Sequence, residues 1–412
     1  MTIFLRMIAT LLLLGMWAAA EEAKKPNFLI LFADDLGAEG LGSYGGVSFK
    51  TPNLDQLAKE SLRFERCYTS PACTPSRMSL YTGAYVTRHG YDFILPVHAG
   101  TKKAVDFKDK WLTYAQILRR AGYATSVTGK WQLAALEFHP EHIRDAGFDS
   151  WCVWQIWRNG AKTPRYWSPV FNEDGKVRED VAERFGPDVL AEYVEKKMKE
   201  AVAAGKPFCI QHNILLPHLP IVDTPDDRAA GRKGSLPGMV EYMDKLAGRL
   251  VKAVDDLGIA GDTYVIFMGD NGTEPVGFGP RKLADGTMVE GGKRDMSDAG
   301  TRIPLLVRRP GKVNPGTAAD LVDMADWLPT FCGLAGVPVP ENNQIDGSSF
   351  APRILHQQAG TRQWVSGGYA GRVTVFDGET RITSKRHRTR PITDKSLEST
   401  AGQALKGLLE MK

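Results

Sequence analysis

Apolar positions in this chain fall into two patterns. Short unbroken runs, Asn27–Ala33 (NFLILFA), Tyr123–Thr128, Pro207–Asn213, Tyr264–Gly269 and Ile303–Val307, lack the alternation of a half-exposed strand and suit strands buried on both faces. Between some of them lie longer stretches with apolar residues at helical spacing, notably Val189–Ala203 and Met239–Leu257. Buried strands alternating with amphipathic helices predict βαβ units and a mostly parallel sheet. No internal repeat or low-complexity linker is visible in the body of the chain. Around Pro338–Asp346 the sequence becomes turn-rich. Beyond it, Val373–Phe376 and Thr380–Thr383 flank Asp377-Gly378 as a hairpin would, and Leu397–Met411 has helical spacing. The organisation predicted is a main α/β domain over 21–350 and a small C-terminal α+β subdomain, a hairpin plus a helix, over 351–412.

The first twenty residues read as a targeting signal. Arg6 precedes the apolar run Met7–Ala19, and Ala18-Ala19-Ala20 stands before Glu21-Glu22. At about 13 residues the run falls short of the roughly 20 that span a bilayer. A signal peptide cleaved near Ala20, an exported protein in the periplasm or outside the cell, and no stable membrane anchor are therefore expected.

Composition narrows the field without choosing within it. The 412 residues are 43% hydrophobic and 24% charged, an ordinary globular balance. A net charge of +4 is too weak to argue for nucleic acid. Five cysteines are too few for a disulfide scaffold, and an odd number leaves at least one unpaired.

The chemistry sits just after the buried runs. Asp34-Asp35 follows the first, Gly129-Lys130 the second and Asp270-Asn271 the fourth, while Pro217-His218 closely trails the third. In open α/β sheets ligand sites form outside the carboxyl ends of strands. Three carboxylates and an amide oxygen gathered there make a hard-oxygen set that selects Ca²⁺ or Mg²⁺ over zinc. A single Asp in such a place is more often a turn or cap residue; two pairs at separate strand ends are harder to explain that way.

Cys73-Thr74-Pro75-Ser76-Arg77 is the most specific local pattern. Four specified residues at fixed spacing recur by chance in about 0.003 chains of this length. Pro75 suits a first helical turn, which places Cys73 at a helix N-terminus, where free N–H groups favour an anion. The other cysteines, Cys67, Cys152, Cys209 and Cys332, suit buried small apolar positions, and their spacing leaves two disulfides, one or none open.

With these motifs the chain resembles the formylglycine-dependent (type I) sulfatases of the alkaline phosphatase superfamily, whose signature is Cys-x-Pro-Ser-Arg. The resemblance covers almost the whole chain after the leader, from Pro26-Asn27-Phe28 through Gly122–Leu133, Gly292-Lys293 and Gly300–Pro304 to Asp326–Gly336 and Asp346-Gly347. It implies an alkaline-phosphatase-like fold, a large mostly parallel mixed sheet between helices. It also implies that Cys73 is converted to formylglycine by a formylglycine-generating or anaerobic sulfatase-maturing enzyme. Asp34, Asp35, Asp270 and Asn271, with modified Cys73, would hold Ca²⁺ (or Mg²⁺), and Arg77 would fix the aldehyde hydrate. Lys130 and Lys293 would bind sulfate oxygens, and His218 would protonate the leaving alcohol.

This chemistry has a reason. A sulfate ester repels nucleophiles through its charged oxygens, which cations offset. The two hydroxyls of a hydrated aldehyde divide the work: one attacks sulfur, the other lets sulfate go. The chain departs from the family at Gly129-Lys130-Trp131-Gln132, where the family usually has histidine in the place of Gln132. Glutamine does not act as a base near neutral pH. Another group or water then takes over, with His89 a candidate, or sulfate release is slow.

The implied substrate is a sulfated carbohydrate. Trp154, Trp157, Tyr166 and Trp167, with Arg158 and Arg165, form either a platform for sugar rings and sulfates or an aromatic core-facing loop; the residues leave both open. Arg381–Arg390 is a basic run, a solvated face or a contact for an anionic polymer. Two other functions stay in view, a phosphonate or phosphate ester hydrolase of the same superfamily and a non-catalytic sulfated-glycan-binding protein.

Overall fold

Seven residues, none of them exposed, make Asn27–Ala33 (β1) the axis of the molecule. Successive side chains of a strand point to opposite faces. Phe28, Ile30 and Phe32 enter one core and Leu29, Leu31 and Ala33 the other. The computed structural model describes residues 24–96, 103–178, 180–341, 344–385 and 399–410. The leader over Met1–Ala20 and the second half of the basic run, after Lys385, lie outside them.

Nine further strands join β1: β2 (Leu62–Tyr68), β3 (Ala124–Gly129), β4 (Ser150–Trp154), β5 (Phe171–Glu173), β6 (Lys176–Val177), β7 (Phe208–Ile214), β8 (Thr263–Gly269), β9 (Arg302–Arg308) and β10 (Gly316–Asp323). Their order across the sheet is β10-β2-β9-β8-β1-β7-β3-β4-β5-β6. The middle five, β8 to β4, are parallel. Strand β9 runs against both β8 and β2, β10 is parallel to β2, and β5 runs against β4 and β6. The fold is thus α/β with a mixed, mostly parallel sheet, and the five apolar runs of the sequence are five of its strands.

Helices cover both faces, as a sheet buried on two sides requires. Helices α1 (Pro52–Lys59), α4 (Gly186–Ala203) and α5 (Leu236–Asp256) pack on Leu29 and Leu31. On the Phe28 side lie α2 (Cys73–Thr82), α3 (Tyr114–Arg120), α6 (Trp327–Ala335) and α7 (Ala351–His356). Ala351 and Ile354, beyond position 350, therefore belong to the main core with Phe350. Further on, β11 (Val365–Tyr369), β12 (Arg372–Phe376) and β13 (Arg381–Lys385) form an antiparallel sheet, and α8 (Thr400–Glu410) packs on it through Leu405 and Leu408. None of the five cysteines is disulfide-bonded, and all are buried. Among the described residues no helix is long and apolar enough to cross a membrane.

Candidate active site

The register of β1 and β8 assembles the first part of the site. Ala33 pairs with Gly269, so the next residues, Asp34 and Asp270, leave the sheet side by side. The Asp270 N–H donates to Ala33 O at 2.9 Å and that of Asp34 to Leu216 O at 3.3 Å. Asp35 takes a left-handed backbone (φ 68°), a conformation Asp tolerates, and its N–H donates to Asp270 Oδ1 at 3.0 Å. The Asn271 amide donates from Nδ2 to Asp35 Oδ1 at 2.8 Å and to Gly272 O at 2.9 Å. Asp34, Asp35, Asp270 and Asn271 are all buried.

Three buried cations answer the three carboxylates. Lys130 follows β3 through Gly129, whose φ is 91°; a Cβ there would stand 1.8 Å from Asn213 O, so only glycine admits this turn. Lys130 Nζ then lies 2.7 Å from Asp34 Oδ1. Lys293 reaches Asp35 Oδ2 at 2.8 Å. It comes after Gly292 (φ 144°), where a Cβ would meet Thr273 O at 2.0 Å. Arg77, one turn into α2, donates from Nη2 to Asp270 Oδ2 at 2.9 Å and from Nη1 to Lys130 O at 3.1 Å.

Cys73 is the first residue of α2 and is 1% exposed. No side chain caps that helix end, so its leading N–H groups and positive pole stay available. Arg77 and Lys293 both lie close to the Cys73 side chain, and burial opposes their charge while Asp270 and Asp35 sustain it.

Burial alone would raise the Asp34 carboxyl, but Lys130, His218, Arg77 and Lys293 hold it well below the ordinary carboxylate range. Asp270 goes the other way: burial, reinforced by Asp34, pushes it up to about 7 against Arg77. Burial pushes His218 down to about 3, despite the opposing pull of Asp34 and Asp35, so its ring is neutral near pH 7. Its Nε2 lies 3.7 Å from Asp35 Oδ2.

The oxygen set fits a divalent cation on two counts. Asp34 Oδ2 and Asn271 Oδ1 are buried without a hydrogen-bond partner, an expensive arrangement unless something else binds them. The three carboxylates and three cations also cancel, so a divalent ion would leave the site at +2, suited to an anion. Ligand atoms of Asp34, Asp35 and His218 lie within 4.8 Å of one another; Cys73 is not part of that group.

Above these residues opens a cavity of about 420 Å³ lined by Gln132, Trp154, Lys162, Arg165, His218, Glu274, Lys293 and Arg294, with Ile94, Leu95, Ile156 and Trp157 among its apolar walls. His218 and Lys293 connect the cavity to the buried carboxylates. Gln132 stands at the wall on a left-handed backbone (φ 51°). Trp154 lines the cavity but is 4% exposed, its Nε1 donating to Thr163 Oγ1 at 2.8 Å. Arg158 is exposed on the small hairpin Trp157–Arg158/Ala161–Lys162 and does not line the cavity.

His89 is not brought to the site. It sits in the short helix Val86–His89, 4% exposed; its Nδ1 accepts the Tyr91 N–H at 3.0 Å and its Nε2 meets Ser79 Oγ at 3.2 Å. Glu274 and Arg294, paired at 2.9 Å on the cavity wall, escaped the sequence reading. Their closeness to Asn271 and Lys293 in the chain was the available signal.

A sequence profile of the family described as Sulfatase matches residues 26–337. Arylsulfatase A of Bos taurus is 31% identical over 373 residues, 84% of this chain and 70% of its own. N-acetylgalactosamine-6-sulfatase of Canis lupus familiaris is 29% identical over 360 residues, 82% of this chain and 68% of its own. Among solved structures, Ps i-CgsB in complex with k-i-k-neocarrahexaose superposes with a TM-score of 0.74 at 25% identity, covering 93% of this chain and 90% of that one.

Proposed function

The chain belongs to the sulfatase family, and we propose that it is a sulfuric ester hydrolase that removes sulfate from a sulfated carbohydrate, using Cys73 in its formylglycine form and a divalent cation. The observation that carries this reading is the convergence of Asp34, Asp35, Asp270 and Asn271 with buried Arg77, Lys130 and Lys293 beside Cys73. The carbohydrate is supported by the relative named for N-acetylgalactosamine 6-sulfate and by the neighbour bound to neocarrahexaose. The tryptophans along the cavity offer apolar faces suited to sugar rings.

In this reading Asp34, Asp35, Asp270 and Asn271 would hold Ca²⁺ or Mg²⁺, the hard ions that oxygen donors favour. The hydrated aldehyde would supply two hydroxyls on one carbon, the second of which a thiol lacks, and a bound cation would neutralise charge on the sulfate. Arg77 and the α2 N-terminus hold position 73 in a field that favours a bound oxyanion. With an ion on the carboxylates, Lys130 and Lys293 would have N–H donors to spare for sulfate oxygens. His218, neutral and at the cavity floor, donates a hydrogen bond from Nε2 to the leaving alcohol oxygen. Gln132 lines the cavity and takes no proton, so the proton of the second hydroxyl passes to water as sulfate leaves.

Export by the leader read over Met1–Ala20 would bring the enzyme to a substrate in the periplasm or outside the cell. Maturation by a formylglycine-generating or anaerobic maturing enzyme precedes activity. The test is a panel of sulfated oligosaccharides, an aryl sulfate and a phosphodiester given to matured protein. Sulfate release from one of the oligosaccharides is expected. Faster cleavage of the phosphodiester would overturn the reading in favour of phosphoryl chemistry.

A further inference from the structure

Two groups compete for one nitrogen of His218. Nδ1 lies 2.8 Å from Arg165 Nη2 and 2.8 Å from the Leu219 carbonyl oxygen. A guanidinium only donates and keeps its protons in proteins, so it needs a lone pair on Nδ1. A carbonyl only accepts, so it needs a proton there.

Arg165 is not free to turn away. It is 5% exposed, with its guanidinium carbon 4.7 Å from the Trp154 ring centroid and 5.2 Å from that of Tyr166. The Tyr166 hydroxyl is tied in turn to Leu215 O at 2.9 Å and to His218 O. The guanidinium therefore decides the contest. Nδ1 stays unprotonated, and the proton of the neutral ring sits on Nε2, the nitrogen facing Asp35.

We propose that Arg165 is a positioning residue for sulfate-ester cleavage: by holding Nδ1 of His218 as an acceptor, it fixes Nε2 as the donor to the alcohol oxygen that leaves. This rests on the reading of His218 as the group that faces the leaving alcohol. As the nucleophile bonds to sulfur, the S–O bond to the alcohol breaks and its electron pair stays on the alcohol oxygen. That oxygen takes a proton along the Nε2 hydrogen bond, the proton released by the attacking hydroxyl passes to water, and water returns one to the ring. The same placement separates two uses of the Asp34–Asp35–His218 cluster. A ring nitrogen that carries a proton has no lone pair for a cation, so the cation falls to the oxygen ligands and His218 to the substrate. The aromatic segment around Trp154 and Tyr166 then braces an arginine as well as lining a cavity.

The test uses full-length protein labelled with ¹⁵N-histidine, with the His218 signals assigned from a His218→Gln sample. Two-bond ¹H–¹⁵N correlation reads which nitrogen carries the proton. The native ring is expected to be protonated at Nε2. In Arg165→Met the Leu219 carbonyl wins, and the proton moves to Nδ1. Turnover gives a second readout, because an acidic phenol leaves without help and a sugar alcohol does not. Arg165→Met is expected to lose at least about tenfold more activity on a sugar sulfate than on 4-nitrophenyl sulfate. Arg165→Lys, which keeps a donor, recovers part of that difference. A native ring protonated at Nδ1, or equal losses on both esters, overturns the proposal. Should Arg165→Met fail to fold, the native spectrum decides alone. A native protein that hydrolyses no sulfate ester overturns the sulfatase reading instead, and the tautomer is still read independently.

Discussion

Arg77 Nη2 and Asp270 Oδ2 face one another at 2.9 Å, and neither side chain touches solvent. The pair links α2, which carries Cys73, to the end of β8, which carries the cation ligands. Removing one partner of a buried ion pair leaves an uncompensated charge and costs about 3–5 kcal/mol. Arg77→Met is therefore expected to lower unfolding free energy by about that amount in urea denaturation. Adding Asp270→Asn to Arg77→Met should recover part of the loss, because the stranded carboxylate is gone. A loss well under 1 kcal/mol in the single variant would contradict the pairing.

The two orphaned oxygens, Asp34 Oδ2 and Asn271 Oδ1, give a prediction about metal. After treatment with a chelator, adding Ca²⁺ should raise the melting temperature in a saturable way. At a hundredfold excess over Kd the gain corresponds to about 2.7 kcal/mol. Asn271→Ala should weaken the response, and chelation should abolish turnover. An identical calcium response in the native protein and Asn271→Ala would remove Asn271 from the ligand set.

Conversion of Cys73 is readable by mass. Trypsin should release Cys67–Arg77 as one peptide, and formylglycine makes it lighter than the cysteine form by about 18 Da. Protein from a host with the maturing enzyme is expected to show the loss. An intact cysteine there would argue against this nucleophile.

His142 governs part of the acid sensitivity. Trp131 Nε1 donates to its Nδ1 at 2.9 Å, so Nε2 carries the proton and donates to Val105 O at 2.7 Å. Burial pushes the ring down to about 4 from the ordinary 6.5. Between about pH 6.5 and 4 the unfolded chain takes up a proton that the folded one refuses. Stability present above that window is lost as pH falls through it, by about 3 kcal/mol. His142→Gln is expected to flatten that part of the pH dependence in urea denaturation between pH 7 and 4.5. His212, buried and pushed down to about 3, accounts for some of what remains. Parallel curves for the two proteins would rule His142 out.

The central strands were legible because burial on both faces writes them as unbroken apolar runs, and the acidic pairs stand immediately after them. The cysteine motif was legible because it lies within a single helical turn. Strand β2 was not, since Arg63, Glu65 and Arg66 interrupt its apolar residues. In the structure Arg66 turns out to the Ala319 carbonyl, 2.6 Å from Nε, which lets a charged residue sit in a buried strand. Strand β10 lies at the sheet edge with its first half mostly exposed, and has no apolar signature. Arg165 was visible only as one charge in an aromatic segment. Its link to His218 spans 53 positions and depends on how β7 and the loop after β4 pack, which no local pattern records. His89 illustrates the converse: a histidine near the motif in sequence is held elsewhere by Ser79 and Tyr91.

The most direct test of the account is sulfate released from a sulfated oligosaccharide by matured native protein and by Cys73→Ala, quantified by ion chromatography. The account predicts stoichiometric sulfate from the native protein and none above background from Cys73→Ala. Equal release by both proteins would contradict it.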